Sequence, residues 1–370
     1  MRKNQKISIR SVLVFALFLV LTVSCVDRLD FVGETNAGQL IIYGVFTDVD
    51  ERQVVNVSRT SLSGLAPEGV PNARVTLVSQ SGGRSPYFSL GNGEYELNGI
   101  RAIAGNSYAL EVVVDGKVYQ SKFEKVPELD AEDKLSFTFE EEPFRTEKPE
   151  NVFKVFSETT LPNTQDPIYL RWMIEETYLW PLAWLKGTGI PPPQPPPCFI
   201  SDVIEPNRIN LFDGSGTSTR NSTVVLGRRL VDNSFQYPFF VSVKQLSINR
   251  EAYEYWEKIK IVINNQGSLF DIPPAPVLGN IFNVEDSEET VLGYFEVAKT
   301  KITRIYSTRS DVPFFLLDPC QYIPSTPDDA YPAECRSCAA RAQGKSWTTK
   351  EPDWWKYDCC LLYTSDAADE

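Results

Sequence analysis

Short runs of β-branched and aromatic residues, separated by turn residues, make up the chain from residue 39 to residue 126. Several runs alternate apolar and polar positions, and a period of two is typical of strands that bury one face. The predicted strands are residues 41–46, 53–59, 73–79, 95–97 and 107–114. Asp115-Gly116 then predicts a hairpin, because a two-residue type I′ turn needs positive φ at both positions. Strands at this spacing without helices indicate a small β-sandwich of Ig-like or transthyretin-like type.

Residues 127–150 are rich in Asp and Glu and surround one alternating segment at residues 135–139. We interpret them as an acidic connection between two domains that holds a single strand. A cation site is the alternative, since carboxylates bind calcium, but the stretch contains no DxDxDG loop.

Strand patterns return after residue 151 and continue through a larger C-terminal domain, residues 151–359. In the segment 168–174, every second residue is apolar, which places these side chains on one buried face. One prominent helix is predicted after the capping candidates Ser247 and Asn249. Its apolar stripe should pack on the core and consists of Ala252, Tyr255, Trp256, Ile259 and Ile263. The predicted fold is mostly β: an N-terminal sandwich plus a larger β-rich domain with one helix.

Three aromatic residues, Tyr178, Trp180 and Trp184, precede a proline-rich run at residues 191–197. Proline fixes φ and lacks an N–H group, so this run predicts an extended surface loop. It is either a polyproline ligand for an aromatic groove or a stiff spacer. The aromatic residues are candidates for a surface that stacks on a glycan or a peptide, although aromatic side chains at strand spacing also occupy cores.

The two ends of the chain differ from the fold between them. Residues 1–24 combine a basic start with an apolar run at residues 12–23, which is the layout of a cleaved export signal. Cys25 then lies where a bacterial lipoprotein carries its lipid, and residues 25–38 would form the tether; an ordinary secretory signal is the alternative. Residues 360–370 resemble the translation of a sequencing adapter, so we exclude them from the fold.

Composition removes several classes of function. The chain has 36 Lys+Arg against 49 Asp+Glu, a net charge of -13, so we expect no nucleic-acid partner. It has 0 His, which excludes Ser-His-Asp and Cys-His catalysis and most catalytic zinc sites. A glycosidase needs only two carboxylates, but candidates such as Glu175 and Glu176 do not stand out from surface charge. We therefore expect no enzyme, no cofactor and no metal.

Four cysteines lie between the two ends: Cys198, Cys320, Cys335 and Cys338. An exported protein meets an oxidising compartment, so disulfides are the first interpretation, with three pairings open. The Cys335-x-x-Cys338 spacing leaves a zinc site or a redox pair as alternatives, although zinc would need a second close pair.

Ordered motifs run through nearly the whole mature chain: residues 58–60, 70–75, 93–95, 169–172, 176–178, 245–247, 251–256, 267–271, 279–281, 292–295 and 350–355. Together they resemble the Bacteroidota lipoproteins grouped as domain of unknown function 4249. The resemblance implies an outer-membrane lipoprotein that is often encoded beside a TonB-dependent receptor. It implies no catalytic residues, because that family has none assigned.

These observations predict an outer-membrane lipoprotein, anchored through Cys25, that serves a TonB-dependent nutrient-uptake system as a non-enzymatic accessory or ligand-binding component. Its expected partners are the outer membrane, a TonB-dependent receptor and a glycan or peptide ligand. A surface adhesin or structural envelope protein is the alternative, and a glycan-acting hydrolase is third. The sequence leaves open which face of the membrane carries the protein.

Overall fold

The computed structural model describes residues 38–61, 65–164, 166–183, 195–215, 220–264, 276–321 and 330–356. They belong to a compact unit that runs from Ala37 to Glu370. Several predicted features lie outside the described residues: the export signal at 1–24, Cys25, Trp184, residues 191–194 of the proline-rich run, and residues 360–370.

The described residues confirm a mostly β fold. Their strands are β1 Leu40–Thr47, β2 Gln53–Arg59, β3 Glu68–Gly69, β4 Arg74–Ser79, β5 Arg84–Pro86, β6 Phe88–Gly91, β7 Glu94–Leu97, β8 Ser107–Val114, β9 Lys117–Ser121, β10 Glu124–Lys125, β11 Glu132–Pro143, β12 Pro149–Thr160, β13 Tyr169–Trp180, β14 Cys198–Val203, β15 Asn210–Asp213, β16 Asn221–Leu230, β17 Phe239–Ile248, β18 Ile281–Asn283, β19 Phe295–Ser307 and β20 Ser346–Thr348. The α-helices are α1 Arg250–Asn264 and the short α2 Cys338–Ala342. No helix in this part of the chain is long and apolar enough to cross a membrane.

One long sheet organises the molecule. Its order is β20-β14-β13-β17-β19-β1-β2-β7-β6, with β15 added beside β13 and β3 beside β2. All of its pairs are antiparallel except β1 with β19, which run parallel from Gly44↔Phe295 to Thr47↔Ala298. This parallel pair joins strands from the two halves that the sequence predicts as separate domains.

Two smaller sheets cover one face of the long sheet. The sheet β18-β9-β8-β4-β5, with β10 beside β8, encloses a core with β1, β2 and β7. The sheet β11-β12-β16 encloses a second core with β13 and β17. The predicted N-terminal sandwich is therefore present, but Ile281, Val291, Phe295 and Val297 from the C-terminal half complete its core.

The hairpin predicted at Asp115-Gly116 joins β8 to β9. Both residues have positive φ, 51° and 83°, as a type I′ turn requires. Tyr108, Leu110 and Val112, at every second position of β8, are buried in the first core. The predicted acidic connection holds a strand, as expected: it contains the whole of β11, which is an edge strand of the third sheet.

Helix α1 packs on the other face of the long sheet. Asn249 caps it, since its Oδ1 accepts a hydrogen bond from the Ala252 N–H at 2.8 Å. Ala252 and Tyr255 pack against Leu246 and Ile248 of β17, as the predicted apolar stripe requires. Ser247, the other capping candidate, lies inside β17. The helix covers only part of this face.

Candidate functional site

The predicted aromatic surface is not available to a ligand at its described positions. Tyr178 and Trp180 are each 1% exposed and lie in the second core. Tyr178 stacks on Phe239 with ring centroids 6.0 Å apart, and Trp180 donates its indole N–H to the Glu334 carbonyl at 2.9 Å. Every second side chain of β13 points into the same core, so alternation buries both rings.

The four predicted cysteines pair in two disulfides near these rings. Cys198 of β14 bonds to Cys338 of α2, and Cys320 bonds to Cys335. The close pair Cys335-x-x-Cys338 is thereby divided between two bridges, which excludes a zinc site at these four thiols. Within the described residues, no group of three or more Cys, Asp or Glu side chains is placed to hold a metal ion. The first bridge fastens the C-terminal segment, residues 330–356, to β14 of the long sheet, and the second joins it to the chain that follows β19.

Charged side chains add a second attachment of the C-terminal segment. Lys345 lies 2.8 Å from Asp202 and 3.7 Å from Glu176, on neighbouring strands of the long sheet. Glu176 is 1% exposed and accepts a hydrogen bond from Arg229 Nε at 2.7 Å. Burial raises the pKa of Glu176 above its ordinary value, while Arg229 and Lys345 oppose the rise. This carboxylate therefore holds the fold together rather than facing a substrate.

The C-terminal segment ends on the face of the long sheet that also carries α1. Trp355 is 6% exposed and packs on Phe199 and Phe240, with ring centroids 5.0 Å and 4.2 Å away. Trp354 lies beside it and contacts the guanidinium of Arg304, whose Cζ is 4.4 Å from the ring centroid. The two tryptophans and α1 thus cover two separate parts of one sheet face.

An open surface remains between α1 and Trp354. Two rows of cross-strand neighbours form it, Met173↔Lys244↔Ile302 and Val203↔Glu175↔Ser242↔Arg304. We call these seven residues the sheet trough. Met173 is 42% exposed and Val203 is 49% exposed. Met173 lies between the parts of β13 that pair with β15 and with β14, and Val203 lies beyond the part of β14 that pairs with β20. Among the described residues, the trough is therefore a sheet surface that exposes apolar side chains.

The polar groups of the sheet trough carry both signs of charge. Lys244 pairs with Glu51, and Arg304 donates its Nε–H to Ser242 Oγ at 3.1 Å. Partial burial raises the pKa of Glu175 above its ordinary value, with Lys244 opposing the rise. Burial likewise lowers the pKa of Arg304, although Glu51 and Glu175 oppose this shift. The surface therefore offers donors, acceptors and apolar side chains together, which suits an extended polar ligand.

Other buried acids serve the fold. Glu296 is 0% exposed and pairs with Arg171 at 2.8 Å, while the Trp256 ring covers the Arg171 guanidinium at 4.4 Å. Trp256 also donates its indole N–H to Glu296, so this ion pair fixes α1 on the sheet. Buried charges are paired in this way because an isolated one is very unfavourable.

Comparison with protein-family models gives one match, described as Domain of unknown function (DUF4249), over residues 26–304. The match covers more than half of the 370 residues. The chain belongs to the DUF4249 family. The resemblance to domain of unknown function 4249 is thereby confirmed for the motifs between residues 58 and 295. No curated protein matches this DUF4249 chain.

Several solved structures match this DUF4249 protein, and one of them shows how weak the likeness is. It is titled "Biofilm associated protein - BSP domain" and is 7% identical over 72% of this chain, with a TM-score of 0.14. The alignment spans 59% of that protein, so this chain covers less than two thirds of its length. At this TM-score the likeness supports no inference about fold or function.

The DUF4249 match ends at Arg304, inside β19. Cys320, Cys335, Cys338 and both neighbouring tryptophans of the C-terminal segment follow that boundary. Sequence reasoning found the cysteines but not the sheet trough, whose residues come from four strands far apart in the chain. A local signal does exist in β13, where the exposed Met173 and Glu175 alternate with the buried Trp172, Ile174 and Glu176.

Proposed function

We propose that this DUF4249 protein is an outer-membrane lipoprotein, acylated at Cys25, that serves a TonB-dependent uptake system as a non-enzymatic ligand-binding component. The observation that supports its export is the pairing of the four described cysteines in two disulfides. Disulfides persist outside the cytosol, and the export signal at residues 1–24 leads to that environment. A diacylglycerol plus an acyl chain at one cysteine would hold the protein on the membrane almost permanently.

The sheet trough supports the ligand-binding part of this proposal. It combines Arg304, Lys244 and Glu175 with apolar side chains and the neighbouring Trp354 ring. Among the residues that the structure describes, by contrast, the three most buried glutamates are engaged within the fold: Glu124 with amide groups, Glu176 with Arg229 and Glu296 with Arg171. This distribution favours a binding surface over the paired free carboxylates of a hydrolase.

Metabolic labelling tests the anchor. Cells that express the protein should incorporate labelled palmitate into it, and the Cys25→Ala variant should lose both the label and its outer-membrane fractionation. Affinity purification of the lipidated protein from solubilised outer membranes should then recover a TonB-dependent receptor. An unlabelled protein that fractionates like Cys25→Ala contradicts the anchor, and repeated purification without a receptor contradicts the uptake role.

Arrays of oligosaccharides and peptides test the sheet trough. Ligand affinity should fall about tenfold or more in Arg304→Ala and in Trp354→Ala, since each removes a contact group of the surface. Trp347→Ala is the matched control, because Trp347 is also an exposed tryptophan, 46% exposed on the edge strand β20. Its cross-strand neighbour Ile200 points into the second core, so Trp347 lies on the face of the sheet opposite the trough. The bound ligand should be recovered chemically unchanged. Equal loss in all three variants, or turnover of the ligand, contradicts the proposal.

A further inference from the structure

Walls stand on two sides of the sheet trough. Towards α1, the next row of the same sheet face contains Arg171, whose Cζ lies 4.4 Å from the centroid of the Trp256 ring. Towards the C-terminal segment, the next row contains Phe240, which packs on Trp355 with ring centroids 4.2 Å apart. Two rows of side chains remain open between these walls. An opening of this width admits a small molecule or one extended chain rather than a globular partner.

Two charges on the floor of the trough have no partner of opposite charge among the described residues. Lys244, the third charged residue of the trough, pairs with Glu51. Glu175 and Arg304 are both exposed, and neither forms an ion pair within the described ranges. Arg304 donates its Nε–H to the neutral hydroxyl of Ser242, which leaves its positive charge unbalanced. Two separated charges of opposite sign match a ligand that itself carries one charge of each sign.

The sheet sets the distance between these two charges. β17 lies between β13 and β19, and neighbouring strands are about 4.8 Å apart, so the Cα atoms of Glu175 and Arg304 are roughly 10 Å apart. Side chains stand roughly perpendicular to a sheet, so their charges are separated by a similar distance. A charge-assisted hydrogen bond of about 2.8 Å at each end leaves roughly 4 Å between the ligand's own charges. This separation lies between those of a free amino acid and a dipeptide.

Apolar side chains surround the two charges. Met173 and Ile302 lie at the two ends of the neighbouring row, and Val203 lies at one end of the other row. The Trp354 ring lies against the guanidinium of Arg304, whose Cζ is 4.4 Å from the ring centroid. Apolar groups of a ligand would be removed from water on these side chains. A neutral oligosaccharide, by contrast, would leave both charges of the floor without a counter-charge.

We propose that the sheet trough binds a zwitterionic amino acid or dipeptide with apolar side chains, whose ammonium group pairs with Glu175 and whose carboxylate pairs with Arg304. The inference rests on the proposed ligand-binding role of this surface and names its ligand class. A guanidinium presents a fork of N–H donors that matches a carboxylate, and a glutamate carboxylate accepts hydrogen bonds from an ammonium group. Both ion pairs form only with a ligand whose two ends are free.

Isothermal titration calorimetry with the full lipidated chain in detergent micelles tests the proposal. The probes are leucyl-leucine, its N-acetyl form and its C-terminal amide. The wild-type chain should bind leucyl-leucine about tenfold or more tightly than either blocked form, because each block removes one ion pair.

Two variants assign the ends of the ligand. Glu175→Gln should bind leucyl-leucine and its N-acetyl form equally but still disfavour the amide, and Arg304→Gln should show the reverse preference. Loss of folding cannot produce this crossed pattern, since it would weaken all three probes together. Arg84→Gln is the matched control, because Arg84 is an exposed arginine on β5 of a different sheet. It should keep both preferences of the wild-type chain.

The outcomes separate this inference from the proposed function. Equal affinity of the wild-type chain for all three probes, or the same loss for every probe in both variants, overturns the zwitterionic ligand. An oligosaccharide that binds through Arg304 and Trp354 while leucyl-leucine does not bind also overturns it, but leaves the proposed function intact. Selective binding of leucyl-leucine by a wild-type chain that carries no palmitate contradicts the anchor and supports the ligand class.

Discussion

Glu124 is the buried side chain with the clearest measurable consequence. It is 5% exposed, and its carboxylate accepts hydrogen bonds from Asn280 Nδ2 at 2.9 Å, from the Tyr294 hydroxyl at 2.8 Å and from Asn249 Nδ2. Asn249 also caps α1, and Tyr294 directly precedes β19. One carboxylate of β10 therefore links the helix to the start of β19. In the sequence this glutamate stands between Phe123 and Lys125 and resembles surface charge, because only the folded chain brings its partners together.

Burial raises the pKa of Glu124 to about 7, although the hydrogen bonds from Asn280 and Tyr294 oppose the rise. In the unfolded chain the same carboxyl titrates near its ordinary value of about 4.5. Between these values the folded state keeps a proton that the unfolded state has lost, so the free energy of unfolding falls as pH rises. The fall should total about 3 kcal/mol between pH 4.5 and 7 and should level off above the folded-state pKa.

Urea unfolding of wild type and Glu124→Gln at pH 5 and at pH 7.5 measures this term. The chain has 0 His, so no histidine obscures the pH window, and the difference between the two proteins isolates Glu124 from Glu175 and Glu176. Glu124→Gln should lose most of the decrease. Glu128→Gln, at an exposed position beside Lys125, should keep it. An identical pH profile in Glu124→Gln would show that this carboxyl does not titrate in the folded protein within the window.

Strands in which buried and exposed side chains alternate were predictable from the sequence. Strands whose two faces are both covered by other elements were not. Residues 107–114 were predicted as a strand and form β8. The sequence did not predict β17, because its buried side chains do not recur at every second position. The sheet β11-β12-β16 covers one face of this strand, and α1 and Trp355 cover parts of the other face. In β19, Lys299 and Lys301 interrupt the apolar pattern of the strand. In the fold they pair with Asp130 and Glu132, so one strand continues through them.

The two disulfides should stabilise the C-terminal segment to different extents. Cys198–Cys338 closes a separation of 140 residues and Cys320–Cys335 one of 15. The entropy of loop closure in the unfolded chain predicts that removing them reduces the free energy of unfolding by about 5 and about 3 kcal/mol. Urea unfolding of Cys198→Ala/Cys338→Ala and of Cys320→Ala/Cys335→Ala measures the two losses.

Reduction and chelation supply the controls for the disulfide prediction. The intact mass of the unfolded protein should rise by about 2 Da per bridge on reduction, because each sulfur gains one hydrogen. A chelator should leave the unfolding midpoint unchanged. Unfolding on chelation would instead indicate a zinc site, and a mass that does not change on reduction would indicate free thiols.

At the scale of the whole molecule, the sequence predicted the mostly β class but not the way its halves combine. The parallel pair β1–β19 joins residues about 250 positions apart. No local pattern marks such a pair, because hydrophobic alternation gives the buried face of a strand but not its neighbour. The same contact makes residues from beyond position 280 part of the first core, for example Phe295. The first core therefore draws on residues from both sides of the predicted connection at residues 127–150.

Shared strands predict that the described chain unfolds as one cooperative unit. Leu110 of β8 is 1% exposed in the first core, and Leu110→Ala should lower the free energy of unfolding by about 2–5 kcal/mol. All 7 tryptophans lie beyond residue 150, so their fluorescence reports only on the C-terminal half. The tryptophan transition should nevertheless move to lower urea in Leu110→Ala, together with the far-UV circular dichroism transition. Val241→Ala, in the second core, serves as the comparison and should shift both signals in the same way. A tryptophan transition that stays in place while circular dichroism shows an earlier separate step would mean that the two cores unfold independently despite the sheet that joins them.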